Sequence, residues 1–400
     1  MKLTGGDPFW SVRNGLLSTY PSLDKDVTCE VAIIGGGITG ALVAFTLAKA
    51  GVTSVLIDKR DIGSGSTCGS TGLLQYEVDV PLRQLVKQLG PQKANRSYLL
   101  CQEAVKKLLT IAKGEQIRCE MEARPSLFLA RSQNEIAELQ EEQRLRKRID
   151  IEVDLWDARQ IAKHYPFSRP AALFSENAAQ VDPHRLTQGL LGVAAKRGLR
   201  IFDRTAAAHF RPNRQGIEVI TEKGFKIMAR RIVIAAGFES QNYLLKQFGQ
   251  LKSTFALISE PVPNLHSWHR RSLIWETGSP YLYMRTTGED RVIVGGEDID
   301  IVKPAYRDRL IPEKTRILLK KFKKLFPEIK LEVAYSWAGT FSTTKDGLAY
   351  IGKHRSLPHA FFALGYGGNG ITYSLIAAEI IRDQFLGRRN PDAALFSFNR

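Results

Sequence analysis

Cysteine is scarce in this 400-residue chain, and the four present, Cys29, Cys68, Cys101 and Cys119, form no CxxC pair and have no histidine-rich partner spacing. That excludes a zinc site or a disulfide framework and leaves reduced, structural thiols, with no metal expected. Long apolar runs are also missing. Each is broken by Gly, Lys or Glu well short of the roughly 20 residues needed to span a membrane. The opening "MKLTGGDPFWSVRNG" has no hydrophobic centre of the kind a signal peptide uses. A soluble, cytoplasmic protein is therefore expected, with a peripheral position on the inner face of the membrane as the alternative. No repeat and no low-complexity tract is evident, so the solenoid and fibrous classes fall away.

Acidic charge is in short supply too: 57 Lys+Arg face 41 Asp+Glu, for a formal net charge of +16. Much of the excess lies in 301–330, "IVKPAYRDRLIPEKTRILLKKFKKLFPEIK", where ten basic residues accompany three acidic ones. Ile317, Leu318, Phe322 and Leu325 could form one apolar face of a helix starting near Pro312, with lysines on its wet side. A solvated surface helix is the plainer reading. An anionic surface, lipid or RNA, is the alternative partner.

What the chain does have is glycine in a telling place. "VAIIGGGITGALVAFTLAKAGVTSVLID" (31–58) begins with a continuous apolar strand, as in a parallel sheet covered on both faces. Gly35, Gly37 and Gly40 follow as G-x-G-x-x-G, then a helical pattern to Ala50 and a second strand closing at Asp58, 18 residues past Gly40. This is the βαβ unit that binds dinucleotides. Gly35 permits the tight turn, Gly37 lets backbone approach a pyrophosphate, and Gly40 lets helix and strand pack closely. Ile38 and Thr39 open the helix, whose free N–H groups favour phosphate. Asp58 is the expected ribose acceptor, with Lys59 and Arg60 beside it on the adenosine side. NAD, NADP and FAD all use this unit, so it leaves the dinucleotide open.

The next stretch is dense in Gly, Ser and Thr, and leaves the carboxyl end of a sheet strand. "DKRDIGSGSTCGSTGLL" resembles the corresponding loop of the D-amino acid oxidase-like (DAO) FAD-dependent oxidoreductases, which include glycine oxidase and sarcosine oxidase. "AQVDPHRLTQGLLGVAAKRGLRIF" (179–202), "RRIVIAAGFES" (230–240), "WAGTFSTTKDGLAYIG" (337–352) and "ALGYGGNGITYSLIAAEII" (363–381) resemble later segments of that family in the same order. The resemblance implies FAD and places Gly65, Ser66, Thr67, Ser70, Gly72, Leu73, Ala207, Ala236, Gly237, Gly339 and Asp346 at the cofactor. Gly367, Gly368, Asn369, Gly370, Ile371 and Thr372 complete that set. Independently of the family, this second glycine-rich helix start suits the pyrimidine end of a flavin, which a nicotinamide enzyme has no obvious need for.

The cofactor motifs fall at the start, middle and end of the chain, so two interleaved domains are expected. The fold class is α/β: a Rossmann-like FAD-binding domain with a glutathione-reductase-type sheet, interleaved with an α+β substrate domain of mostly antiparallel sheet. Segments 1–80, 180–250 and 335–400 form the first; 81–179 and 251–334 form the second. Helical patterns cover 81–113 and 132–149, while "KSTFALIS", "SLIWE", "YLYMR" and "RVIVGG" read as strands.

Flavin oxidation of an amine asks the protein to orient substrate and exclude water. Alternation along "PYLYMR" puts Tyr281, Tyr283 and Arg285 on one strand face. Arg285 could clamp a substrate carboxylate bidentately, or else pair with Glu289 or Asp290 at the turn. Tyr76, Trp275, Trp337 and Tyr366 are further pocket candidates; His164, His184, His354 and His359 are read as structural or surface residues. Three departures matter. Where D-amino acid and glycine oxidases carry a carboxylate-binding arginine before the "DGL" acid, this chain has Phe341 in "GTFSTT". Residues 335–352 also lack the cysteine to which sarcosine oxidases attach flavin, so FAD is expected to be non-covalent. Strand 291–295 lacks the lysine that sarcosine oxidases use toward oxygen. The expected function is oxidation of a C–N bond of an amino acid or secondary amine by hydride transfer to flavin, giving an imine. The alternatives are a membrane-associated dehydrogenase of the glycerol-3-phosphate type, a tRNA-modifying FAD oxidoreductase, and a non-catalytic partner subunit.

Overall fold

The continuous apolar run of Val31–Ile34 needs cover on both sides, and it gets it. The structure, a computed structural model, describes residues 2–278 and 280–400. Among these, strand Val27–Ile34 lies inside a sheet between Lys226–Ile234 and Ser54–Ile57, parallel to both. The order continues outward to Ala360–Leu364 and Tyr350–Lys353 on one side and Arg200–Phe202 on the other. Strands Ala207–Pro212 and Ile217–Thr221 extend it as antiparallel additions to Lys226–Ile234, giving eight strands among the described residues. Every residue of Ser54–Ile57 and Ala360–Leu364 is buried, as two-sided cover requires. Helix Ile38–Lys49 is buried from Thr39 to Ala48, because helices Pro183–Ala195 and Gly370–Phe385 pack on it as well as the sheet. Its lack of amphipathic patterning follows from that enclosure.

A second sheet, of ten strands among the described residues, is antiparallel except where Leu273–Glu276 runs parallel to Glu122–Leu129. Its order runs Thr4–Gly6, Val333–Thr343, Gln250–Ser259, Val292–Ile299, Leu282–Thr286, Leu273–Glu276, Glu122–Leu129, Ala171–Gln180 and Leu73–Leu74, with Asp154–Asp157 beside Ala171–Gln180. Helices Leu82–Leu89, Pro91–Gly114 and Ile136–Lys147 fall where the sequence pattern puts them. The sheets do not follow the expected segment boundaries throughout. Val333–Thr343, Thr4–Gly6 and Leu73–Leu74, expected with the cofactor sheet, lie in the larger one. The reason is register: the eleven residues of Val333–Thr343 pair with Gln250–Ser259 along nearly their whole length.

The basic segment folds as helices Pro304–Arg309 and Ile311–Leu325. Leu318, Phe322 and Leu325 are buried, joined by Ile311, while Ile317 is only half-buried. Lys314 and Lys321 pair with Glu297 at 3.1 and 2.5 Å, and Lys320, Lys323 and Lys324 face solvent. This is the solvated-helix arrangement. Among the described residues no helix is long and apolar enough to cross a membrane. All four cysteines are buried and unpaired.

Candidate active site

A strand that ends in a sharp turn leaves its backbone N–H groups to be satisfied. Gly35 turns with φ +116°, and a Cβ there would lie 2.5 Å from the Ala235 carbonyl oxygen. A Cβ on Gly40 would overlap the Gly35 carbonyl oxygen. Glycine at both positions is thus a steric requirement. The Gly36 N–H donates to Asp58 Oδ2 at 2.7 Å and the Arg60 N–H to Oδ1 at 2.8 Å, tying the ends of two adjacent strands together. Burial pushes the Asp58 carboxyl upward, and those two N–H groups work against it. Thr67 Oγ1 accepts from the Ile38 N–H at 3.0 Å, which fixes the Ser/Thr-rich loop over the helix start.

These groups border a cavity of about 1080 Å³ that reaches from the glycine turn to the larger sheet. That is at or above the upper end of the ~300–1,000 Å³ of ordinary small-molecule pockets. On its wall stand Gly35, Gly37, Ile38, Thr39, Asp58, Lys59, Arg60, Gly65, Ser66, Thr67, Ser70 and Leu73. Ala207, Ala236, Gly237, Gly339 and the run Gly367–Thr372 stand there too. Residues from six separate stretches of sequence are therefore brought to one chamber.

Three of the expected cofactor residues lie off the wall. Gly40 packs beneath the turn, in the close-approach role its spacing suggests. Gly72, at φ +69°, leaves room for the Val181 carbonyl and the Arg285 guanidinium. Asp346 holds Arg400 at 2.8 and 3.1 Å. Lys59 and Arg60 are both engaged by Glu239, at 2.8 and 3.0 Å. Burial opposes ionisation of Glu239, but these two cations outweigh it and hold its carboxyl below the usual range. The sequence reading passed over Glu239, which lies 180 residues from Lys59; only the fold brings them together.

At the other end, strand Leu282–Thr286 and the residues before it supply Tyr281 and Tyr283, with ring centroids 5.9 Å apart. Gly295 on the neighbouring strand makes room for the Tyr283 ring. Trp275 and Phe128 line the same space at 6.0 Å from one another, and Tyr366 lines it near the glycine run. Phe341 also reaches the wall, at the position where the resemblance anticipates a base.

Arg285 does not join them. Its side chain is 2% exposed and donates to the carbonyls of Thr71 at 2.7 Å, Val181 at 3.0 Å and Thr286 at 3.2 Å. Burial pulls its pKa down to about 10. It anchors the loop that carries Ser70 and Gly72 and has no place on the cavity wall, so the carboxylate-clamp expectation is corrected. The turn pairing does not occur either: Glu289 pairs with Arg13 and Arg291, and Asp290 with Arg271. Tyr76 and Trp337 are likewise off the wall, bonded to Arg146 and to the Gly69 carbonyl. None of His164, His184, His354 and His359 lines the cavity.

Two acids that sequence reasoning missed do line it. Asp79 accepts from the Gly368 N–H at 3.0 Å, and Gly367 must be glycine to let that carboxylate approach. The Asp79 carboxyl is open to the chamber, yet desolvation by the protein around it pushes it up to about 6. Asp298, on strand Val292–Ile299, keeps Oδ1 without a hydrogen-bond partner among the described residues. Asn369 ties the glycine run to the 75–77 segment by donating to the Gln75 and Glu77 carbonyls at 3.2 and 2.7 Å.

The glycine cradle at one end, the glycine-rich helix start at the other and the continuous space between them fit an extended dinucleotide. Residues 30–384 match the FAD dependent oxidoreductase (DAO) family. The chain belongs to that family. Its cofactor is accordingly FAD. Among similar proteins is gamma-glutamylputrescine oxidoreductase of Escherichia coli (strain K12), 25% identical over 95% of this chain and 88% of that protein. Glycine oxidase of Bacillus subtilis (strain 168) is 24% identical over 90% of this chain and 93% of its own. Among solved structures, L-amino acid deaminase from Proteus vulgaris superposes with a TM-score of 0.78 at 17% identity, covering 96% of this chain and 99% of that one. Glycine oxidase from Geobacillus kaustophilus gives 0.73 at 21% identity, covering 94% and 99%. At such identities the structural likeness shows the fold, an α/β cofactor unit joined to a mostly antiparallel sheet, in this DAO-family oxidoreductase.

Proposed function

We propose that this protein oxidises the C–N bond of an amino acid or secondary amine, with loss of a hydride and a proton, to an imine that water then hydrolyses. The observation that carries this reading is the tyrosine-lined chamber, Tyr281 and Tyr283, continuous with the glycine cradle. The glycine oxidase and gamma-glutamylputrescine oxidoreductase named above support the substrate class. FAD would accept the two electrons leaving the substrate. Gly35, Gly37, Ile38 and Thr39 would hold its pyrophosphate, Asp58, Lys59 and Arg60 the adenosine side, and Gly367–Thr372 the flavin end. Cys68 is the cysteine nearest this space in sequence; its Sγ donates to the Gly65 carbonyl, and burial pushes the thiol up to about 11. A thiol so held is a poor nucleophile, which favours non-covalent cofactor. Tyr281 and Tyr283 would orient the substrate by hydroxyl hydrogen bonds, and the aromatic wall would exclude water from the reacting carbon.

The test is a visible spectrum of the purified holoenzyme, followed anaerobically during addition of amino acids, N-methyl amino acids, diamines and glycerol 3-phosphate. Bleaching of the flavin band by a nitrogen compound is the expected result. Bleaching by glycerol 3-phosphate alone would overturn the C–N reading.

A further inference from the structure

The walls of the chamber carry the opposite sign to the molecule. The chain is +16 overall, yet basic side chains on the chamber's substrate side are engaged by acids. Arg146 is held by Glu77 and Glu142 at 3.0 Å each, Arg83 by Glu138, and Lys252 by Asp300 at 3.5 Å. Arg285, the expected clamp, is spent on three backbone carbonyls. Asp79 and Asp298 form no ion pair with a basic side chain among the described residues. A Cβ on Gly368 would lie 2.8 Å from Asp79 Oδ1 and 4.0 Å from the Tyr281 hydroxyl, so carboxylate and phenol converge there. Asp298 lies within electrostatic reach of Asp79 and of both tyrosines, and of Lys252 and Lys314, which are themselves ion-paired with Asp300 and Glu297. Glu77 is 5% exposed and keeps Oε2 without a hydrogen-bond partner among the described residues, an independent sign that the wall has surplus acceptors. Carboxylates next to aromatic rings form the combination that recognises an alkylammonium, through ion pairing and through the ring faces.

We infer that the chamber selects an amine bearing a second ammonium group, a diamine or polyamine, whose remote nitrogen is held by Asp79 and Asp298 beside Tyr281 and Tyr283. The inference rests on the C–N oxidation proposed above and narrows its substrate. A simple amino acid offers the wall a carboxylate, which Asp79 and Asp298 repel. A diamine offers one nitrogen for oxidation and one cation for the acids.

The experiment uses the holoenzyme at about pH 8, above the value of about 6 to which the Asp79 carboxyl is pushed, where aliphatic amines remain largely charged. Anaerobic bleaching of the flavin is titrated with putrescine, spermidine, N-acetylputrescine, glycine and sarcosine. Putrescine or spermidine is expected to half-saturate at a concentration at least about ten-fold below N-acetylputrescine, which lacks the second charge. Asp298→Asn is expected to shrink that ratio while flavin stays bound, as its retained absorbance shows. Should the variant fail to fold, the wild-type ratio decides alone. Equal saturation by putrescine and N-acetylputrescine, or bleaching by glycine or sarcosine in preference to both, overturns the second-cation inference and leaves C–N oxidation standing. A flavin that dithionite reduces but no amine or amino acid does overturns both.

Discussion

At the scale of single residues, roles follow from the atoms each group meets. A side chain on Gly40 would collide with the Gly35 carbonyl oxygen, part of the turn that approaches the cofactor space. Gly40→Val is expected to cost about 1–3 kcal/mol by overpacking and to abolish FAD retention, read by thermal melting and by flavin absorbance after gel filtration. Arg285 makes the opposite kind of case. Removing its guanidinium leaves the Thr71 and Val181 carbonyls buried without their donor. Arg285→Met should therefore destabilise the protein by about 2–4 kcal/mol and weaken FAD retention through the 70–72 loop. A variant with wild-type melting temperature and a raised KM would instead mean that Arg285 touches substrate.

At the scale of elements, Arg400 adds to the Thr344 and Tyr373 hydroxyl bonds that fasten the turn before strand Tyr350–Lys353. Arg400 reaches Asp346 with two hydrogen bonds, donates to the Ala349 and Leu348 carbonyls at 2.7 and 2.6 Å, and stacks 3.7 Å over the Tyr350 ring. The side chains are 7% and 14% exposed. Burial pushes the Asp346 carboxyl upward, but the Arg400 hydrogen bonds and charge prevail and hold it below the ordinary 3.8. A carboxyl lowered by folding contributes stability above its unfolded pKa and loses that contribution as pH falls through the folded value. Arg400→Ala is accordingly expected to cost about 3 kcal/mol near neutrality. The part of that difference due to the ion pair should begin to shrink as pH falls below about 3.8, the unfolded value, and vanish only once pH has passed the lower folded value, in denaturant titrations at several pH values. An unchanged difference at low pH would assign the whole effect to packing on Tyr350.

At the scale of the whole molecule, the cavity is where the two sheets meet. Its wall draws on the parallel sheet through Gly35, Ala236 and Gly367 and on the larger sheet through Tyr281, Thr254 and Gly339. A ligand spanning it couples the two and binds only the folded chain. Adding FAD at about 100 times its dissociation constant should stabilise the apoprotein by about 2.7 kcal/mol, raising its melting temperature by several degrees. Differential scanning calorimetry with and without FAD checks this; no shift would mean that the cavity does not hold the cofactor.

The sequence by itself determined the local units, because their causes are local. Steric demand at Gly35 and Gly40, the apolar run of Val31–Ile34 and the helix start at Gly370 depend on neighbours within a few residues or on a fixed βαβ geometry. Helix boundaries in 81–149 and the buried stripe of Leu318, Phe322 and Leu325 were legible for the same reason. Only the tertiary structure decided which residues share a wall. Alternation put Tyr281, Tyr283 and Arg285 on one face, but the face turns away from the chamber at Arg285 once the 70–72 loop and Val181 close over it. Asp79 meets Gly368 across 289 residues and Glu239 meets Lys59 across 180. No sequence pattern links such pairs. The substrate-side charge belongs to this second kind of knowledge: a +16 chain conceals an acid-rich chamber because ion pairing and burial, set by the fold, decide which charges remain for a ligand.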